Sequence, residues 1–159
     1  MLSLNTVLNR STQFLTDQGV PSPRYEAELL MAHSLGIGRL DLYLQFDKPL
    51  EENELQQLRP LLKRRGNREP LAWIIGQCGF YEEDFFVQPG VLCPRPDTET
   101  LVNITLELIP ENDEPFYVAD VGCGSGCIGL SIAKKRTQVR LYAVDVSPAA
   151  IKCPKRNAQ

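Results

Sequence analysis

The hydrophobic positions of this chain change period twice. Residues 4–18 place Leu4, Val7, Leu8, Phe14 and Leu15 at helical spacing, and Gly19 stops the run. Ser22 and Pro23 then form a helix start, with Ser as N-cap and Pro as first helical residue. The spacing predicts a helix from Arg24 to about Leu35 with Ala27, Leu30, Met31 and Ser34 on one face, closed by Gly36 and Gly38. A short helix fits Leu40–Leu44. Pro49 opens another, from Glu51 to about Arg65, which Pro60 is expected to kink or divide. These four pieces predict a helical domain over residues 1–70.

From Pro70 the texture becomes that of short strands. Trp73-Ile74-Ile75-Gly76 and Phe85-Phe86-Val87 flank the acidic turn Glu82-Glu83-Asp84, which predicts a β-hairpin linker over residues 71–93. Pro96 can open a helix with Leu101, Val102, Thr105, Leu106 and Ile109 as its apolar face, and Asp97 and Glu99 in its first turn suit the helix dipole. After a polar linker, Pro110–Pro115, the pattern reads strand (Phe116–Val121), helix (Gly126–Lys135), strand (Val139–Val144), and a helix capped by Ser147-Pro148. A strand–helix–strand unit with so short a connection implies parallel strands and a right-handed crossover. The expected class is therefore α+β overall: an N-terminal helical bundle, a hairpin linker, and over residues 94–159 the opening of a doubly wound α/β sheet.

Composition and charge narrow the function. The net charge of -3 gives no support for a general nucleic-acid binder. No apolar run approaches a membrane span, and Met1–Gly19 lacks the pattern of a signal peptide, so a cytoplasmic protein without membrane partners is expected. Five cysteines, at 78, 93, 123, 127 and 153, include no paired C-x-x-C units. They argue against a disulfide framework or a zinc site, and Cys123 and Cys127 read as small residues of a tight turn. His33, the sole histidine, reads as structural. The basic run Arg59, Lys63, Arg64, Arg65 and Arg68 could meet an acidic protein or RNA, but a solvated helix face with cations near a C-terminus is favoured.

The candidate chemistry lies in Tyr117–Gly129, where a strand runs into Asp120-Val121-Gly122-Cys123-Gly124-Ser125-Gly126 and then a helix. Glycines let backbone amides approach a ligand, and the helix start supplies unpaired N–H groups. Gly124 to Gly129 formally matches the G-x-G-x-x-G dinucleotide fingerprint, with Asp145 near the distance expected for a ribose partner. Asp120 weighs against that reading. A carboxylate two residues before Gly122 would repel a pyrophosphate and attract a cofactor bearing an ammonium and a sulfonium. S-adenosylmethionine is such a cofactor and is favoured over NAD, with Asp145 accepting from the ribose hydroxyls.

The chain resembles the bacterial release-factor glutamine methyltransferases, the HemK-type enzymes. The likeness rests on the helical N-terminal unit, Arg68–Gly76, Val91-Leu92-Cys93-Pro94-Arg95-Pro96-Asp97-Thr98-Glu99, Asp120–Gly126 and Ala143-Val144-Asp145. The Pro-Arg-Pro-Asp-Thr-Glu stretch is its specific part. The resemblance implies a Rossmann-like class I methyltransferase sheet and methyl transfer to the glutamine amide nitrogen of the Gly-Gly-Gln loop of a peptide-chain release factor. The helical unit would help hold that protein, and a monomer is expected. The expected cofactor-binding set is Asp120, Val121, Gly122, Cys123, Gly124, Gly126 and Asp145, together with Arg95 and Thr98. No metal ligand is assigned. No catalytic residue is assigned either, because the family's Asn-Pro-Pro-Tyr, which grips the amide, does not occur in the 159 residues. The chain is therefore expected to be C-terminally truncated and inactive alone. Pro154 departs from the family and is expected to break the last helix near Cys153, although Asn157-Ala158 matches the family's ending of that helix. The alternatives are a nucleic-acid amino-methyltransferase, and a non-enzymatic protein that binds a release factor.

Overall fold

The structure is a computed structural model that describes all residues from Met1 to Gln159. It divides after Ile75 into two units, Met1–Ile75 and Gly76–Gln159.

The first unit contains helices α1 (Leu4–Asp17), α2 (Pro23–Leu35), α3 (Asp41–Leu44), α4 (Glu52–Gly66) and α5 (Leu71–Ile75). Ser3 caps α1 by accepting a hydrogen bond from the Thr6 amide at 3.3 Å. Leu4, Leu8, Leu15, Ala27, Leu30, Met31 and Leu42 are completely buried together. Phe14, expected on the apolar face of α1, is largely turned to the surface. Ser22 occupies the N-cap position of α2, but its hydroxyl makes no capping bond. The start of α4 is held instead by a reciprocal capping box between Glu51 and Glu54.

Two expectations about this unit are corrected. Pro60 does not divide α4, which runs unbroken through it. Pro60 and Gln56, whose carbonyl loses its partner, both face solvent, where water can replace the missing bond. Leu58 on the opposite face is buried and anchors both halves to the core. Trp73–Ile75, expected in the first arm of the hairpin, lies in the helical turn Leu71–Ile75 of the first unit, with Ile74 buried in its core.

The basic run turns inward on itself. Arg59 pairs with Glu52, Arg64 with Glu69 and Arg65 with Glu26, while Arg68 donates to the Gly19 carbonyl at 2.9 Å. Arg59 and Glu52 lie on a solvated face as expected, whereas Arg65 and Glu26 are mostly buried. His33 lies exposed in the last turn of α2, a position that favours a cation, rather than in the core.

In the second unit, β1 (Gln77–Phe80) and β2 (Glu83–Phe86) form an antiparallel hairpin. The loop is Tyr81-Glu82, both with positive φ (50° and 67°), as a two-residue primed turn requires. Glu83 and Asp84, read as turn, are strand residues. Tyr81 is fixed in this unfavourable region by two bonds: its amide to Glu99 Oε1 at 3.0 Å and its hydroxyl to Asn103 Oδ1 at 2.7 Å. Both partners lie on α6 (Glu99–Leu108), which a short 3-10 turn at Pro96–Thr98 introduces. Only Val102 of α6 is fully buried, and Leu101, expected on its apolar face, is half exposed.

The sheet proper is β3 (Phe116–Val121) and β4 (Val139–Val144), parallel and paired from Phe116↔Val139 to Val121↔Val144. Helix α7 (Cys127–Lys135) makes the crossover. Alternate residues take opposite faces. Phe116, Val118 and Leu141 join Val102, Ile132 and Val139 in a core under α6 and α7. Tyr117, Val121, Tyr142 and Val144 stay exposed, with the two tyrosine rings stacked at 6.3 Å. The final helix, α8 (Pro148–Asn157), is capped by Ser147 and packs on β2. Pro154 does not break it. That residue is buried, and its ring lies against Gly126, where the absence of a side chain makes room for it.

Candidate cofactor site

Strand β3 ends in a turn built on three left-handed residues, Gly122 (φ 78°), Gly124 (φ 56°) and Gly126 (φ 79°). A side chain would be strained at each of them. The turn is tied to the neighbouring strand because the Gly122 and Cys123 amides both donate to the Val144 carbonyl, at 2.7 and 3.1 Å. It then closes on itself through Gly126 N–H to Cys123 C=O at 2.7 Å.

The three glycines have different surroundings. A Cβ placed on Gly122 would meet nothing within 4 Å, and one on Gly124 would only graze Val91 at 4.0 Å. A Cβ on Gly126 would lie 2.8 Å from Pro154 Cβ. Gly122 and Gly124 thus show bare backbone to open space, whereas Gly126 is needed for packing.

Two carboxylates hold this geometry. Asp145, at the end of β4, accepts from the Gly124 amide at 2.9 Å and from the Ser147 amide at 2.8 Å. The Ser147 and Gly124 amides hold its carboxyl below the usual range, so it stays ionised. Asp120 is half-buried at the end of β3, and one of its oxygens accepts from the Gly129 amide at 3.1 Å in the first turns of α7. Burial pushes its carboxyl upward; the Gly129 amide opposes this and the nearby Asp145 adds to it. Gly129 admits this contact because a Cβ there would stand 2.9 Å from that oxygen and 2.7 Å from Leu141 Cδ1. A cleft of about 440 Å³ runs beside β3, lined by Val118, Asp120, Gly122, Ile128 and Gly129 among others.

The structure thus brings Asp120, Gly122, Cys123, Gly124, Gly126 and Asp145 into one turn. Val121 is a strand residue with its side chain 80% exposed on the open sheet face. Cys123 and Cys127 are buried, and burial pushes both thiols up, away from nucleophilic thiolates. Arg95 is exposed just before the 3-10 turn and Thr98 half-buried at its end, and no hydrogen bond joins either to the glycines. From that stretch it is Val91 that reaches the turn. Sequence reasoning named Gly129, Pro154 and Asn157 but left them out of the expected site. A glycine inside a helix was a usable signal for the first. The other two act on residues remote in the chain, and no local pattern announces them.

Exposed backbone at Gly122 and Gly124, beside an ionised carboxylate on the next strand, suits a cofactor with a ribose and a cationic amino-acid end. S-adenosylmethionine would suit this open backbone and carboxylate. Gly122 and Gly124 would face it and Asp145 would take its ribose hydroxyls, while its sulfonium supplies an electrophilic methyl group.

A strand, a glycine turn, a helix and a carboxylate-tipped parallel strand define the opening of a Rossmann-like nucleotide-cofactor domain. Comparison with known proteins makes this specific. The Methyltransferase small domain family matches residues 84–159 and the PrmC N-terminal domain family matches residues 6–76. The chain is 41% identical over 157 residues to the release factor glutamine methyltransferase of Geobacter sulfurreducens, covering 99% of this chain and 54% of that protein. It is 38% identical over 157 residues to that of Koribacter versatilis (99% and 56%), and 40% over 142 residues to that of Escherichia coli K12 (89% and 50%). The chain belongs to the release factor glutamine methyltransferase family, and it spans about half the length of the curated relatives it matches. No helix is long and apolar enough to cross a membrane.

Proposed function

We propose that this chain carries the cofactor end of an S-adenosylmethionine-dependent methyltransferase acting on a glutamine amide of a peptide-chain release factor. The observation that carries the reading is the turn at Gly122–Gly126, with two glycines open to space and ionised Asp145 beside them. The relatives' names supply the substrate class. An amide nitrogen is a poor nucleophile because its lone pair is delocalised. The reaction therefore needs positioning in line with the methyl group and polarisation of the amide rather than a strong base. Asp120 is bonded to the Gly129 amide and holds the helix under the turn, so its role is to shape the cofactor's seat. The helical unit is assigned to holding the release factor, and the protein to the cytoplasm as a monomer. Asn-Pro-Pro-Tyr does not occur in these 159 residues, which alone are proposed not to complete the transfer.

Calorimetry of the 159-residue chain with S-adenosylmethionine and with NAD tests the cofactor, and binding of NAD alone would reverse the assignment. An assay with a release factor and radiolabelled cofactor tests the rest. Turnover by a preparation of confirmed mass would sink the claim of inactivity, and labelling of nucleic acid instead would change the substrate.

A further inference from the structure

Asn157, in the last turn of α8, makes more side-chain hydrogen bonds to backbone than any residue at the glycine turn itself. Its Oδ1 accepts from the Phe86 amide at 2.7 Å, and its Nδ2 donates to the Phe86 carbonyl at 3.1 Å and to the Ser125 carbonyl at 2.8 Å. The primary amide is thus paired with both backbone groups of one β2 residue, as a neighbouring strand would be. Its second N–H reaches the middle of the glycine turn. Both donors and one oxygen lone pair are used, so the amide has a single productive orientation. Asp could not donate, Leu could do neither, and Gln would overshoot by a methylene.

The flanking residues act on the same two segments. Arg156 lies over the Phe86 ring at 3.8 Å, and Pro154 packs where a Gly126 side chain would be. Ser125, whose carbonyl Asn157 holds, is itself only 2% exposed. The turn is therefore fixed from Asp145 on one side and from the end of α8 on the other.

We infer that Asn157 is a positioning residue for the cofactor turn, which sets the Ser125 peptide and couples the seating of strand β2 to the conformation of Gly124–Gly126. Its consequence for cofactor affinity rests on the proposed adenosylmethionine reading; the backbone coupling does not. The residue touches no reacting atom and acts through the turn.

Amide hydrogen exchange on the full 159-residue chain separates its two roles. In Asn157→Asp the carboxylate still accepts from the Phe86 amide but loses both donated bonds and repels the Phe86 and Ser125 carbonyls. The Phe86 amide should keep its protection while the Gly124 and Gly126 amides lose about tenfold, the worth of roughly one hydrogen bond. In Asn157→Ala all three amides should lose protection, with the far-UV circular dichroism unchanged in both variants. S-adenosylmethionine should bind both variants about tenfold more weakly than the parent chain. The inference is overturned if the Gly124 and Gly126 amides keep parental protection in both variants. It is equally overturned if every amide of residues 76–159 loosens together in Asn157→Asp, since Asn157 would then support the whole unit rather than the turn. A parent chain that binds no S-adenosylmethionine removes the cofactor reading, and the exchange pattern still decides the positioning role.

Discussion

The helical unit closes on itself, and the α/β unit does not. In Met1–Ile75 the large side chains Leu4, Leu8, Leu15, Leu30 and Met31 are wholly enclosed, and six of the basic side chains are paired with glutamates. Even the buried Glu28 carboxylate is met by Arg24 and Arg39, both at 2.8 Å, and by the Tyr43 hydroxyl at 2.7 Å. In Gly76–Gln159 one face of the β3–β4 sheet is covered, while the other shows Tyr117, Val121, Tyr142 and Val144 to solvent. The helical unit also exposes Leu40 and Leu44 and holds Gly19, Gly36 and Arg68 left-handed, but only in the α/β unit do left-handed glycines open to space stand beside two carboxylates. A binding site keeps backbone groups accessible, which the close packing of the helical core does not allow.

Mutations should separate the two units by the size of their effects. The largest expected effect is in the helical core, where Leu30→Ala should cost about 2–5 kcal/mol in urea unfolding followed by signals from that unit. Next comes Gly126→Ala, which sets a methyl against Pro154 at a left-handed residue and should destabilise the α/β unit by about 2–4 kcal/mol. Gly122→Ala has the same backbone strain but no clash, so it should cost only about 1–2 kcal/mol. Its larger effect should be on S-adenosylmethionine affinity measured by calorimetry, and equal effects of the two glycine variants on stability would erase the distinction between packing and ligand-facing glycines.

Acid should act with opposite signs on Glu28 in the helical unit and Asp120 in the α/β unit. Burial alone would raise the Glu28 carboxyl, but hydrogen bonds from Tyr43, Arg24 and Arg39 outweigh it and hold the group below its usual range. Its stabilisation is present above the unfolded-state pKa and lost as the pH falls through the lower folded value. Asp120 is shifted upward, so its contribution is fully present below the unfolded-state pKa and lost as the pH rises through the higher folded value. Glu28→Gln should therefore flatten the acid limb of the helical unit's pH–stability curve. Asp120→Asn should leave the α/β unit within about 0.5 kcal/mol of the parent at neutral pH, or above it, while weakening the cofactor. The smallest effect belongs to the open sheet face, where Tyr142→Ser should change stability by less than about 0.5 kcal/mol. A loss comparable with that of Leu30→Ala would mean that this face is covered in solution.

Much of this was legible along the chain. The strands Phe116–Val121 and Val139–Val144, their parallel pairing and the helix between them follow from period and connection length. The three turn glycines and both aspartates were visible as a motif, because the backbone demands of such a turn are local and admit few residue types. The hairpin was harder to place. Its loop, Tyr81-Glu82, lacks the Asn-Gly or Asp-Gly that usually marks a primed turn, and bonds donated by Tyr81 to Glu99 and Asn103 hold it there instead.

Tertiary structure decided everything that depends on a partner far along the chain. Pro60 and Pro154 stand in unbroken helices because solvent serves one and Gly126 accommodates the other, and propensity knows neither neighbour. Local pattern located the glycine turn, but which glycines face a ligand and which face Pro154 depends on where α8 lies. Asn157 belongs to the turn for the same reason: hydrogen bonds are directional and short, and only the folded chain brings its amide to Phe86 and Ser125.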